Sequence, residues 1–217
     1  MALKIKKRAA PNIDSSVLME TFLDQLPSGR VRDATASAIT FPPLCSPRGQ
    51  SVQLQRCFLS SISLMDPKAH GLSFQDSRME NSDFANADLR GALFERVEIV
   101  STRLTGAIFT ETQLESILFQ ECKLDFALFR MARLKQCVFE NCNLTDSDFY
   151  GADLSGAIFR DCDLSRADIS QAKLAGADIR GCRLDRLRGE PASMEHLTIS
   201  PDQAALLITL FGVRVEW

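Results

Sequence analysis

Every fifth residue through the middle of this chain is large and apolar. Counting from Leu54 through Leu59 and Leu64 to Leu184, 26 of 27 positions are Leu, Ile, Phe or Met, and Ala69 is the exception. A second series, two residues earlier, is small: Ala87, Ala92, Thr102, Ala107, Cys122, Ala127 and Ala132 belong to it, with Ile117 as its bulky member between Ser77 and Cys182. The other three residues of each five are mostly Asp, Arg, Ser, Gly, Glu and Gln. A helix repeats every 3.6 residues and a strand every 2, so neither carries this pattern. A chain that turns a corner every five residues and points two of the five inward does. Four such sides close a square coil that stacks on the next at the strand spacing of about 4.8 Å. The large residue fills the centre, and the small one fits a slot where more volume would overpack. Backbone groups pair with the coils above and below, which leaves none orphaned along the stack. Nearly seven coils result, a rod about 32 Å long. The pattern predicts an all-β solenoid, a quadrilateral β-helix, over residues 51–189.

The ends differ. Residues 1–50 show no clear repeat. Ser15 to Leu26 reads as an amphipathic helix, with Val17, Leu18, Phe22 and Leu26 near helical spacing, stopped at Pro27-Ser28-Gly29. It is expected to cap the open first coil, with residues 1–12 mobile and Phe41-Pro42-Pro43-Leu44 extended. Pro67 and Ala69 keep the register but not its chemistry, which predicts a distorted corner that places His70 outside. At the other end Ser200-Pro201-Asp202 is a helix start, with a capping residue, proline in the first turn and an acid that complements the dipole. The helix should run from Gln203 to Phe211 and stop at Gly212, with Val213 to Trp217 strand-like. It is too short to be stable alone, so residues 190–217 read as a cap for the last coil.

Ala87-Asp88-Leu89-Arg90-Gly91, Ala152-Asp153-Leu154-Ser155-Gly156 and Ala167-Asp168-Ile169-Ser170-Gln171 resemble the A(D/N)LXX signature of the pentapeptide-repeat family. The resemblance covers about 135 of the 217 residues and implies a right-handed coil. The uninterrupted coil followed by an apolar helix and terminal strand is similar to members that protect DNA gyrase. That likeness implies a homodimer joined end to end, here through Leu206, Leu207, Leu210 and Phe211.

Composition removes several functions. Net charge is −3, split unevenly: residues 1–49 carry 7 basic and 4 acidic groups, and residues 190–217 carry 1 and 4. No apolar run follows the basic start, and the longest, Ala204 to Ile208, cannot span a bilayer. Seven cysteines without a CxxC fit neither a disulfide framework nor a zinc site, so a reducing cytoplasm is the expectation. Cys122, Cys142, Cys162 and Cys182 stand 20 residues apart and should stack in one small-residue column, where cysteine serves as a small hydrophobe. No phosphate loop, HExxH or GxSxG occurs, and of the two histidines one belongs to a side and one, His196, to the cap segment. The repeated Asp before the central residue (Asp83, Asp88, Asp148, Asp153, Asp163, Asp168 and Asp178) should point outward and cap local turns. No cofactor, metal or catalytic residue is expected.

Folding residues 52–191 on a period of 20 gives four sides with summed charges of +1, −3, −1 and −1. The −3 side carries Glu98, Glu121, Glu140 and Asp161, all expected in solvent. It also carries Leu118, Val138 and Ile158 in successive coils at an outward position, a column suited to contact; Ile108 and Leu128 do something similar on another side. Two functions follow from different classes: a DNA-shaped decoy that shields a type II topoisomerase, implied by the resemblance, and a general protein-binding scaffold or effector. Direct nucleic-acid binding is disfavoured, since neutral or negative sides are the opposite of what phosphate recognition requires.

Overall fold

The computed structural model describes residues 25, 28–38, 40–41, 52–64, 71–209 and 212–214. The expected helix at Ser15 to Leu26, the corner at Pro67 to His70, and Leu44 lie outside them, apart from Gln25, which is helical. The chain winds into a four-sided parallel β-solenoid. Its first side is a sheet of β1 (Arg30–Arg32), β4 (Gln53–Gln55), β7 (Ser73–Gln75), β9 (Leu93–Glu95), β11 (Gln113–Glu115) and β13 (Arg133–Lys135). The second stacks β2 (Thr35–Ser37), β5 (Phe58–Ser60), β8 (Arg78–Glu80), β10 (Glu98–Val100), β12 (Leu118–Gln120), β14 (Val138–Glu140) and β15 (Ile158–Arg160). The third begins with β3 (Thr40–Phe41) beside β6 (Ser63–Leu64) and continues, like the fourth, as single bridges. The register advances by 20 residues per coil, as in Ile99↔Phe119↔Phe139.

Of the 27 large apolar positions 25 are buried; Leu64 is partly buried, and Ala69 falls outside the described residues. The small slot also holds Val52, Ile62, Leu72 and Val97, larger than the sequence pattern implied. Phe119, Phe139 and Phe159 stack on the second side with centroids 4.7 Å apart, and Phe109, Phe129 and Phe149 stack on the fourth at 4.7 and 4.8 Å. The two columns meet edge to face at 6.2 to 6.5 Å, a favoured aromatic geometry. Ring spacing therefore measures the coil rise expected from strand spacing.

The corner is a backbone device. The second residue after each central one adopts left-handed φ, from Asp33 at +52° to His196 at +61°. On turning sides a backbone bond closes the corner, for instance Ala107 N–H to Leu104 O at 3.0 Å. There the N–H of the residue after the central one makes no backbone bond, and the preceding Asp accepts it at 2.9 to 3.2 Å in all seven expected cases. The first side changes from strand to turn at Asp153, and the second at Asp178.

Two boundaries differ from the sequence reading. The stack starts earlier: Val31 pairs with Leu54 and Ala36 with Leu59, so residues 30–41 add a further part-coil. Val31, Ala36 and Phe41 do keep five-residue spacing, but they sit 23 residues, not 20, before their partners, so the phase hid them. At the far end α1 spans Pro201–Ile208, shorter than expected, and Val213 and Arg214 take no strand pairing.

Candidate interaction surfaces

Two of the four acids read on the second side are paired with arginines. Glu98 was expected in solvent but is 7% exposed and receives Arg78 at 2.6 Å. The reason is the neighbouring coil, which places an arginine opposite it in the ladder. Glu140 pairs with Arg160 at 2.6 Å. Glu121 and Asp161 remain exposed on one corner with Asn141 between them, and Ser101 donates to Glu121 at 3.2 Å. Elsewhere charges alternate along corners: Asp33 binds Arg56, and Asp76 binds Arg96 at 2.7 Å. The Arg56 guanidinium holds the Asp33 carboxyl below its usual range, and Arg166 does the same to Asp146.

The apolar column is also less open than expected. Leu118, Val138 and Ile158 lie side by side in the ladder, but Val138 is 4% exposed and the other two are half-buried. Flanking ladder residues cover Val138 because side chains at successive coils are only a strand spacing apart.

The cap corrects another assignment. Leu207 faces the solenoid, 6% exposed, and joins the core with Leu184 and Leu187. Leu206 and Ile208, at 47% and 42%, are the exposed large apolar residues of α1; Leu210 and Phe211 lie outside the described residues. Sequence reasoning missed Gln203, which is 1% exposed. Its amide donates to Ile179 O and Cys182 O, both at 2.8 Å, and its Oε1 accepts the Ser200 N–H at 2.8 Å. A glutamine three residues after a serine is the signature that could have found it. The Ser200 hydroxyl itself is buried without a partner among the described residues.

The six described cysteines are buried and unpaired by disulfides. Burial pushes the Cys137 thiol up to about 12, and contact between successive thiols raises Cys142 and Cys162 to about 12. Such thiols are protonated and unreactive at neutral pH. Among the described residues no cluster of three or more His, Cys, Asp or Glu could hold a metal ion, and no helix is long and apolar enough to cross a membrane. An open depression of about 300 Å³ on the first side is rimmed by Gln113, Glu115, Arg133, Lys135, Asp153 and Ser155, with Lys135 and Glu115 paired at 2.7 Å.

A coil of this kind, with its corners, slots and stacked centres, defines a class, and family models agree. A pentapeptide-repeat model matches residues 73–111, and a pentapeptide-repeat-region model matches residues 112–189. The chain belongs to the pentapeptide-repeat family. Among solved structures it is similar to trypsin-treated QnrB1, a plasmid-mediated fluoroquinolone resistance protein, at 20% identity over 87% of this chain and 92% of that one, TM-score 0.41. It is also similar to HetL, involved in heterocyst differentiation regulation in the cyanobacterium Nostoc, at 17% identity over 81% and 92%, TM-score 0.34. A third is a pentapeptide repeat protein of the Arabidopsis thaliana thylakoid lumen, at 20% identity over 67% and 77%, TM-score 0.21. A search of curated proteins finds no match. Likeness at this level selects no role, because one fold hosts many functions.

Proposed function

We propose that this protein acts without catalysis, by presenting its rod surface to a protein partner in the cytoplasm. One observation carries this reading: the inward side chains are consumed by a continuous apolar core, while many outward charges pair along the coils. Among the described residues the exposed large apolar side chains are Leu93, Phe126, Met131, Leu206, Ile208 and Val213. Affinity isolation from host cytoplasm, followed by reconstitution, tests it. A stoichiometric complex with a purified protein is expected; a purified rod that instead turns over a small substrate would overturn the reading.

A narrower version names the partner as a type II topoisomerase shielded from a poison. Exposed Glu121 and Asp161 on one corner favour it, because the DNA-binding surface of such a partner is basic and attraction across it is electrostatic. The rod should then restore supercoiling by a poisoned gyrase in a dose-dependent way. Glu121→Lys with Asp161→Lys should abolish rescue, whereas Glu98 now belongs to an internal ion pair and is not part of the test. Absence of rescue by the wild type at large excess ends this version and leaves the broader one standing.

The homodimer through the C-terminus is proposed on Leu206 and Ile208, which give α1 an apolar outer face. Leu206→Glu should convert a dimer into a monomer without loss of β signal, because its side chain is half outside the core. Light scattering that finds the wild type monomeric at micromolar concentration removes the dimer.

A further inference from the structure

Both ends of the backbone ladder are met by side chains where a further coil would supply peptide groups. β1 is the terminal strand of its sheet. Gly29 O and the Asp33 N–H bond β4 and its flank, so alternation along the strand turns Arg30 and Arg32 toward the free edge. In inner coils the donor equivalent to Arg30 reaches back to the preceding coil. Ser73 N–H does so to Val52 O, and Leu93 N–H to Leu72 O, both at 2.9 Å. At β1 the Arg30 N–H goes instead to Ser28 Oγ at 3.1 Å, and the Arg32 N–H to Gln25 Oε1 at 2.8 Å. The Ser28 hydroxyl donates in turn to Gln25 O at 2.7 Å, which ties the two side chains together.

The far end repeats the device with opposite polarity. Cys122 O accepts the Asn143 N–H, Cys142 O the Asp163 N–H and Cys162 O the Arg183 N–H, each at 3.0 Å. That series, continued by 20, sets Gln203 beside Cys182. Gln203 does arrive there, but with its side chain. Its backbone N–H turns back to Ser200 O, and its amide Nε2 takes Cys182 O at 2.8 Å. Nitrogen thus stops a carbonyl edge at one end, and oxygens stop an N–H edge at the other. These are the two halves of one ladder bond. An open strand edge pairs with another chain unless something blocks it.

We propose that Gln25 and Ser28 at one end, and Gln203 at the other, are plugs that keep the rod from adding a second copy of itself head to tail. The occupant that each plug excludes is the opposite end of another copy. A stack of parallel coils ends in two unlike edges, and each edge is the complement of the other. Contact between unlike ends does not close on itself, so it would propagate into a fibre. This contact differs from the dimer proposed above, which uses the outer face of α1 at Leu206 and Ile208 and leaves Gln203 in place. It is independent of the protein-binding reading, because only the ends of the rod take part.

The test opens the two ends separately in the full-length chain. Gln203→Leu removes the plug of the last coil, and Gln25→Leu with Ser28→Ala removes that of β1. An opened end finds no complement among copies of its own kind, so neither protein should elongate alone. Mixed, the two should associate on the order of tenfold or more tightly than either does with the wild type, since backbone bonds are gained. The triple variant has both ends open and should grow into unbranched fibres one rod wide, read by electron microscopy and light scattering. Phe139→Leu controls for lost stability: it weakens the core, keeps both plugs and should not elongate. Elongation of a protein opened at one end, elongation of the Phe139→Leu rod, or fibres formed by the wild type would each overturn the proposal. So would a mixture that does not associate, or a folded triple variant that stays the size of the wild type. Where circular dichroism shows the triple variant unfolded, the mixture decides.

Discussion

Phe139→Asp should leave the chain unable to fold. Phe139 is fully buried, lies between Phe119 and Phe159 at 4.7 Å on either side, and meets Phe129 and Phe149 edge-on. Removing a buried aromatic costs about 3–5 kcal/mol through lost transfer and cavity terms. Placing a carboxyl in that dry column adds several kcal/mol more, since nothing there can pair with it. The sum reaches the whole stability of an ordinary domain, about 5–15 kcal/mol. A solenoid has no distant contacts to compensate, because each coil touches only its neighbours. Circular dichroism and urea titration provide the check. Phe139→Leu should remain folded with a lower midpoint, and a Phe139→Asp protein with the wild-type midpoint would refute the stacked core.

Gln203→Leu should release the C-terminal cap while the middle coils stay intact. Leucine matches the volume of glutamine but leaves the Cys182 carbonyl and the Ser200 N–H without the partner each now holds at 2.8 Å, while the Ile179 carbonyl keeps only the Cys182 N–H at 3.2 Å. Each buried backbone group left unmade costs about 1–3 kcal/mol. Helix α1, of 8 residues, cannot form alone and depends on that anchorage and on Leu207. Hydrogen exchange should therefore lose protection around Ile179, Cys182 and Leu207, while the amides of Leu118 and Val138 remain protected. Uniform loss along the rod, or none at all, would contradict a cap that acts locally. The exposed Leu206 face would be lost with the helix, so a dimer should dissociate in the same variant.

Large parts of the molecule were legible in the sequence for a local reason. Within a pentad, whether a side chain points in or out depends on the four residues around it. Spacing alone thus placed Leu54 through Leu184, the small slot and the turn-capping Asp residues. Gln203 was readable in principle, as it stands three residues after Ser200. The part-coil at Val31, Ala36 and Phe41 was harder, because the segment between residues 41 and 52 shifts the phase by three, and periodicity cannot carry across a shift.

The sequence by itself determined the coil, its interior and its corners, because a strict five-residue repeat permits one backbone path. Only the tertiary structure decided which outward groups are free, since their neighbours lie a full coil away. Glu98 meets Arg78 and Glu140 meets Arg160 across that gap, so neither acid is free, although the side keeps its net charge. Val138 is covered by its ladder neighbours, and Leu207 turns to the last coil because α1 is pinned through Gln203. Phe126 and Met131 show the same division. Their spacing marks them as corner residues, but the backbone angle and exposure that set them apart arise only when the chain has closed its turn.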